Sequence, residues 1–246
     1  SKSVLSENHP MYLGVYEGAM GYQHVRQYVE QSDCVLILGS FITDIDFENS
    51  PTPVDQEKTI NATSSKIYIK YHNFDDIPLK EYLKNLCKIN IKKFQSNKEI
   101  RKGQKIAIGK NKILNEKITV NGLFTILNHF ITADNMVIAD VGDALFGGLD
   151  LFIHKGTEFI SPAFYLSMGF AIPASLGAQL SNPNIRPIVL VGDGAFQMTG
   201  MELSTIAKEN LNPIIILLNN DGYRTERSLL DGPFNNLYCW KYSKIT

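Results

Sequence analysis

The sequence is poor in the residues that stabilise secreted proteins, membrane spans or metal clusters. It has three cysteines, Cys34, Cys87 and Cys239, scattered without the close spacing of a zinc site. This odd, dispersed set argues against a disulfide framework and predicts buried or incidental thiols in a reducing compartment. The sequence also lacks a run of about twenty apolar residues, which a transmembrane helix requires. We therefore expect a cytoplasmic protein with no membrane partner.

The chain has no excess of charge of either sign. Its net charge is -1, which provides no general field for binding nucleic acid. The one basic stretch, residues 88–117, carries ten Lys or Arg and two acids, but Phe94 is its single aromatic residue that could stack on bases. We predict no nucleic-acid partner and interpret residues 89–117 as a solvated linker between two domains.

Two short apolar runs organise the second half of the chain. Residues 188–191 end in Gly-Asp-Gly, and residues 214–218 end in Asn-Asn-Asp-Gly. Length and β-branched content predict two buried parallel strands, and apolar residues recur at helical spacing between them. Such a unit brings the carboxyl ends of both strands to one edge of the sheet, where open α/β sheets bind ligands. We therefore expect Asp193 and Asn220 to face each other across one crevice.

The residues expected at this edge suit a metal-bound anion. Asp193 supplies a carboxylate, Asn220 an amide oxygen and the turn at Gly222 a backbone carbonyl, all hard oxygen ligands that suit Mg²⁺. Gly192 and Gly194 let the backbone approach a bulky anion, and the free N–H groups at the start of the next helix favour a diphosphate. In the alternative, structural interpretation, Asp193 caps a helix and Asn220 lies in an ordinary turn.

The Gly-Asp-Gly triplet, followed after twenty-four residues by Asn-Asn, resembles the diphosphate motif of thiamine diphosphate (ThDP) dependent enzymes. The stretch NNDGYRTE, residues 219–226, more narrowly resembles the pyruvate and indolepyruvate decarboxylase family of 2-oxo acid decarboxylases. The resemblance implies ThDP and Mg²⁺ as cofactors, with Asp193, Asn220 and Gly222 as metal ligands. It also implies cofactor contacts by Gly192, Gly194, Ala195 and Thr225.

Two earlier segments resemble further cofactor contacts of the same family. After the strand predicted at residues 136–139, Gly142 matches the family's glycine, but Asp143 stands where the family has a hydroxyl residue. A carboxylate there would repel the diphosphate unless it points away or is neutralised. Met168 matches the large apolar residue that bends the cofactor, and the carbonyl of Leu166 matches the acceptor of its 4′-amino group. From composition alone, Met168 is core packing.

Glu226 is the candidate catalytic group. In the resembling decarboxylases, the glutamate at this place lies near the substrate carboxylate and assists decarboxylation and proton transfer. A carboxyl group beside an anionic substrate in a water-poor pocket has a raised pKa and can donate a proton near neutral pH. In the alternative interpretation it is a surface residue paired with Arg224 or Arg227.

The patterns together predict an α/β protein with doubly wound parallel sheets and two incomplete domains. Residues 1–88 resemble a Rossmann-like middle domain that lacks its start. Residues 118–246 resemble the ThDP diphosphate and Mg²⁺ binding domain without its end. Apolar periodicity places helices over residues 79–86, 120–131 and 164–180.

The predicted function is the non-oxidative decarboxylation of a 2-oxo acid, of the pyruvate, indolepyruvate or phenylpyruvate class, to an aldehyde. The family's shared active sites imply a homodimer or homotetramer of the full-length protein. The five histidines are isolated, and nothing matches the family's N-terminal glutamate, so we expect this segment alone to be inactive. Two alternatives remain open: an acetolactate synthase-like carboligase, and a non-catalytic binding or assembly module on the same fold.

Overall fold

The computed structural model describes residues 2–18, 21–40, 54–90, 117–154 and 158–245. The chain divides into two compact units, one containing Pro10–Lys105 and the other Lys2–His9 with Ile106–Thr246. Most of the predicted linker, residues 91–116, lies outside the described residues. The exact limits of the two domains therefore stay a prediction.

The first unit is built on a small mixed sheet of β1 (Val35–Leu38), β2 (Thr59–Ala62), β3 (Ile67–Ile69) and β4 (His72–Phe74), in that order. Strands β1 and β2 pair in parallel, whereas β3 and β4 continue the sheet antiparallel. Short turns join the last three strands, and such turns permit only antiparallel neighbours, so the sheet of this unit is mixed and not parallel throughout. The unit also contains helices α1 (Gln23–Glu30) and α2 (Leu79–Leu86).

The second unit contains a fully parallel sheet. Strand β7 (Arg186–Gly192) pairs with β5 (Asn135–Ala139) on one side and with β8 (Ile214–Leu218) on the other. Strand β6 (Glu158–Ile160) lies beyond β5, which gives the order β6-β5-β7-β8. β7 is buried as its apolar run predicts, but β8 is only half-buried because it forms an edge of this sheet.

Helices cover both faces of this sheet. They are α3 (Val120–Leu127), α4 (Asp143–Gly148), α5 (Ala171–Ser181), α6 (Asp193–Thr199) and α7 (Leu203–Lys208). Ile188 and Leu190 pack with α3 and α4, whereas Val189 and Val191 pack with α5, α6 and α7. Successive strand residues point to opposite faces, so a strand buried on both faces needs a continuous apolar run. The predicted α/β class, doubly wound in this unit, is confirmed.

Two helices differ from their predicted ranges. The helix expected from Phe164 begins only at Ala171, because residues 163–169 form turns in which Leu166 and Gly169 have φ of 51° and 85°. Positive φ is incompatible with a continuing right-handed helix. Helix α3 ends at Leu127 and gives way to a turn.

Within the described ranges, no helix combines the length and the apolar character needed to cross a membrane. The three cysteines are free and exposed, which excludes the buried interpretation. Cys34 directly precedes β1, Cys87 directly follows α2, and Cys239 lies between two 3-10 helices, so none of them lies within a strand or a helix.

Candidate functional site

The candidate site lies at the carboxyl edge of the parallel sheet, between β5 and β7. From β5 the chain moves outward to β6, and from β7 it moves outward to β8 on the other side. Open α/β sheets bind ligands in the crevice outside such a switch point. Three segments begin at this edge: residues 140–143 after β5, Asp193 after β7, and residues 219–226 after β8.

Asp193 ties the end of β7 to the loop after β8. The residue is 2% exposed, and its carboxylate accepts backbone hydrogen bonds from Gly194 N at 2.8 Å and from Gly222 N at 3.0 Å. Each oxygen keeps a lone pair that can bind a cation. The charge also reaches Tyr242, whose pKa is raised chiefly by burial and in part by this carboxylate. Asp193 therefore lies against the loop that carries Asn220.

Asn220 presents a buried oxygen at the same edge. Its Nδ2 donates to Asp143 Oδ2 at 3.1 Å, whereas Oδ1 has no hydrogen-bond partner among the described residues. Buried polar atoms in folded proteins nearly always have a partner, in the protein, in water or in a bound ion. The Oδ1 atom is therefore a candidate cation ligand.

The loop after β8 has a shape that requires glycine. Gly222 has φ of 120°, and a Cβ there would collide with the carbonyl oxygen of Asn235. That oxygen also accepts from Tyr223 N at 3.0 Å, and the buried Asn235 side chain donates to Leu230 O at 2.8 Å. A Cβ at Gly194 would meet the ring of Tyr223 at 2.5 Å. Packing within the protein thus accounts for both glycines, independently of any ligand.

The remaining cofactor-contact candidates differ in their surroundings. A Cβ on Gly142, which has φ of 71°, would lie 3.1 Å from Thr225 Oγ1, so the turns after β5 and β8 approach closely. A Cβ on Gly192 would meet nothing within 4 Å. Ala195 is buried in the first turn of α6. The structure therefore brings together, at one edge, Gly142, Asp143, Gly192, Asp193, Gly194, Ala195, Asn220, Gly222 and Thr225.

Leu166 and Met168 lie in the turns before α5. They are partly buried and pack against the cores on opposite faces of the sheet, Leu166 with the α3 and α4 side and Met168 with the α5 side. The next residue, Gly169, is held at both polar atoms: its N–H donates to Asp140 Oδ1 at 3.2 Å, and its carbonyl accepts from Thr199 Oγ1 at 2.9 Å. These anchors restrict where Met168 can lie.

Asp140 is a structural residue that sequence patterns did not single out. It is fully buried, and its carboxylate accepts from the backbone N–H groups of Val141, Gly169 and Ala171 at 3.0, 3.2 and 2.8 Å. It therefore caps α5 from the end of a different element. The available signal was a lone acid directly after the apolar strand at residues 136–139.

Comparisons with known proteins identify the family. A family model described as thiamine pyrophosphate enzyme, C-terminal TPP binding domain, matches residues 135–241. A second, described as thiamine pyrophosphate enzyme, central domain, matches residues 1–88. The chain belongs to the ThDP-dependent enzymes. Thiamine pyrophosphate is another name for ThDP, so the cofactor implied by the motif is that of the family.

Several curated relatives of this ThDP-dependent chain share one name. The alpha-keto-acid decarboxylase of Mycobacterium leprae is 30% identical, and those of Mycobacterium avium and Mycobacterium tuberculosis H37Rv are 29% and 28% identical. Each match covers 99% of this chain but only 43 or 44% of the relative. The chain thus spans less than half the length of these relatives. The resemblance to ThDP-dependent 2-oxo acid decarboxylases is confirmed.

The residues at the sheet edge fit a ThDP diphosphate held through a divalent cation. The candidate ligands are one carboxylate oxygen of Asp193, the unpaired Oδ1 of Asn220 and the carbonyl of Gly222. No group of three or more His, Cys, Asp or Glu residues suited to a metal occurs among the described residues. Mg²⁺ does not need such a group, because it takes several ligands from water and substrate phosphates.

Glu226 is exposed at the start of a short 3-10 helix, Glu226–Ser228. The described part of this ThDP-dependent chain does not enclose its carboxyl group in the water-poor pocket that was expected. Arg227 forms an ion pair with Asp231 at 2.7 Å rather than with Glu226. The catalytic role of Glu226 therefore stays a prediction.

Proposed function

We propose that this chain carries the middle domain and the diphosphate-binding domain of an enzyme that converts a 2-oxo acid to an aldehyde and CO2. The observation that carries the proposal is the hydrogen bond from Gly222 N to Asp193 Oδ2, which joins both halves of the motif at the ends of β7 and β8. The names of the similar mycobacterial proteins support the reaction class. We propose pyruvate, indolepyruvate or phenylpyruvate as the class of substrate.

The chain would hold Mg²⁺ and the diphosphate at the ends of β7 and β8. The backbone bonds to Asp193 orient its carboxylate, and Asn220 and Gly222 would complete the protein's share of the ligands. One carboxylate leaves positive charge on Mg²⁺ that the diphosphate would neutralise. The diphosphate would lie beside Gly192, Gly194 and Ala195, at the first turn of α6, whose N–H groups have no backbone partner within the helix.

Residues on the β5 side would shape the rest of the cofactor pocket. When bound, ThDP supplies a C2 carbanion and a ring that accepts the electrons released by decarboxylation. Met168 would press against the cofactor, and the Leu166 carbonyl would accept a hydrogen bond from its amino group. The anchors on Gly169 support both roles, because they keep this short segment in place. Gly142 and Thr225 would border the same pocket.

Glu226 would hold or move a proton near the substrate carboxylate. Because the residue is exposed in this chain, the role requires further parts of the full-length protein to exclude water around it. We accordingly propose a cytoplasmic homodimer or homotetramer for the full-length enzyme and no activity for this segment alone. These statements follow from the family resemblance.

The decisive experiment is calorimetry of ThDP binding with Mg²⁺ to the full-length protein and to Asp193→Ala. We expect the variant to bind at least about 100-fold more weakly, because loss of a direct ligand should exceed the effect of losing an outer-shell partner. Asp134→Asn is the matched control, since Asp134 is exposed just before β5, at the opposite edge of the sheet. Retained affinity in Asp193→Ala would contradict the proposal.

A product assay of the full-length protein tests the reaction. Release of an aldehyde from pyruvate or an aryl pyruvate would support the decarboxylase, whereas formation of acetolactate would support the carboligase.

A further inference from the structure

The contact between Asp143 and Asn220 joins two turns that are 77 residues apart in the sequence. Asp143 begins α4 after β5, whereas Asn220 follows β8, and strand β7 lies between those two strands. The hydrogen bond from Asn220 Nδ2 to Asp143 Oδ2 therefore crosses the end of β7, where Asp193 lies. The side chains around the candidate metal position are thus linked to one another.

The chemistry of the two groups fixes the orientation of the amide. Rotating a carboxamide by 180° exchanges its oxygen and its NH2 group with almost no change of shape, so the hydrogen-bond partners decide which end faces which way. An ionised carboxylate only accepts hydrogen bonds, so Asp143 favours the orientation that presents Nδ2. The reverse orientation would place two acceptors in contact. Asn220 Oδ1 is consequently directed away from Asp143, and it is this atom that is buried without a partner among the described residues.

We propose that Asp143 is a positioning residue that keeps Asn220 Oδ1 available to Mg²⁺. This inference rests on the proposed function, because it takes the site at Asp193 and Asn220 to be the metal site. It also gives the Asp143 carboxylate a role beside an anionic cofactor, since Nδ2 partly compensates its charge. The two roles for Asp143 have effects of opposite sign: removing a positioning residue weakens Mg²⁺ binding, whereas removing a merely repulsive carboxylate strengthens it.

The test measures Mg²⁺ affinity of the full-length protein by calorimetry at a fixed, saturating concentration of ThDP and without substrate. For Asp143→Ala we expect the Mg²⁺ Kd to rise about 10- to 100-fold, the usual effect of losing an outer-shell partner of a ligand. Asp143→Asn should give a smaller rise, because its amide oxygen can accept from Nδ2 but its NH2 group can instead bind Oδ1. The control Asp134→Asn removes one exposed charge away from the site and should leave the Kd unchanged.

A double-mutant cycle separates orientation from charge. In an Asn220→Asp background either end of the side chain is an oxygen, so Asp143 has no orientation to select. There, Asp143→Ala should leave the Mg²⁺ Kd unchanged or lower it, in contrast to its effect beside Asn220. A purely structural role for Asp143 would weaken binding equally in both backgrounds and would overturn the inference.

The outcomes distinguish this inference from the proposed function. If Asp193→Ala loses affinity while Asp143→Ala and Asp143→Asn bind Mg²⁺ within about twofold of the unmodified protein, or more tightly, the positioning role is wrong and the metal site stands. If Asp193→Ala also binds normally, the metal site itself is wrong. Should Asp143→Ala fail to fold, as judged by circular dichroism, Asp143→Asn alone decides, because it preserves the shape of the side chain.

Discussion

Because the Asp140 carboxylate accepts three hydrogen bonds, we expect the protein to lose much of its stability when only the charge of this side chain is removed. Asp140→Asn keeps the shape of the side chain but replaces one acceptor oxygen with an NH2 group. In the best arrangement, the remaining oxygen keeps the N–H groups of Val141 and Gly169, and the new NH2 group faces the N–H of Ala171. Two buried donors then lack an acceptor.

Two opposing effects determine the size of this loss. A hydrogen bond to a charged group contributes about 1.5–3 kcal/mol, and a buried unsatisfied donor costs about 1–3 kcal/mol. Against this, burying a carboxylate costs several kcal/mol, which a neutral amide avoids in part. Because three backbone N–H groups at 2.8 to 3.2 Å surround this carboxylate, we expect the hydrogen bonds to dominate. The predicted net loss is about 2–4 kcal/mol.

Urea unfolding followed by tryptophan fluorescence measures this loss. Trp240 is the single tryptophan of the sequence and lies in the same unit as Asp140, so its emission reports on that unit. With a slope of about 2 kcal/mol per molar urea, the midpoint should fall by about 1–2 M. Hydrogen exchange at Gly169 and Ala171 should accelerate in parallel.

Asp134→Asn controls for the loss of one charge, because an exposed substitution of this kind stays within about 0.5 kcal/mol. If Asp140→Asn unfolds at the same urea concentration as the unmodified protein, or at a higher one, the desolvation of the buried charge outweighs its three hydrogen bonds. The conclusion that the Asp140 carboxylate stabilises the protein by capping α5 would then be wrong.

Two further changes test the loop after β8. Gly222→Ala forces a side chain into a φ of 120° and against the Asn235 carbonyl. We therefore expect the free energy of unfolding to fall by at least about 2 kcal/mol and ThDP binding, measured by calorimetry, to weaken. The control Gly177→Ala, in α5 with open space around the new Cβ, should be stabilising by about 0.5–1 kcal/mol. Glu226→Gln in the full-length protein should lower turnover at least about tenfold, which corresponds to about 1.4 kcal/mol of activation free energy. The affinities for ThDP and Mg²⁺ should stay unchanged. Undiminished turnover would show that Glu226 is a surface residue without a catalytic role.

The burial of an element depended on its place in the sheet as well as on its composition. The runs at residues 188–191 and 214–218 both predict buried strands, yet only the first is central in the sheet and fully buried, whereas the second lies at an edge and is half-buried. Strand order is set by long-range pairing, which an apolar run does not encode by itself. The same reason explains the helix wrongly expected from Phe164: its small and apolar residues suit a packed helix, but Gly169 is held in a turn by Asp140 and Thr199.

Local patterns in the sequence determined the α/β class, the strand-helix-strand unit and the motif that joins Asp193 to Asn220, because these depend on neighbours along the chain. Only the tertiary structure decided which atoms meet at the edge of the sheet. The bond of Asn220 to Asp143, the cap from Asp140 to α5 and the contact of Gly222 with Asn235 are examples. Hydrogen-bond partners and left-handed turns are selected by packing across the fold, and residue types alone do not specify that packing.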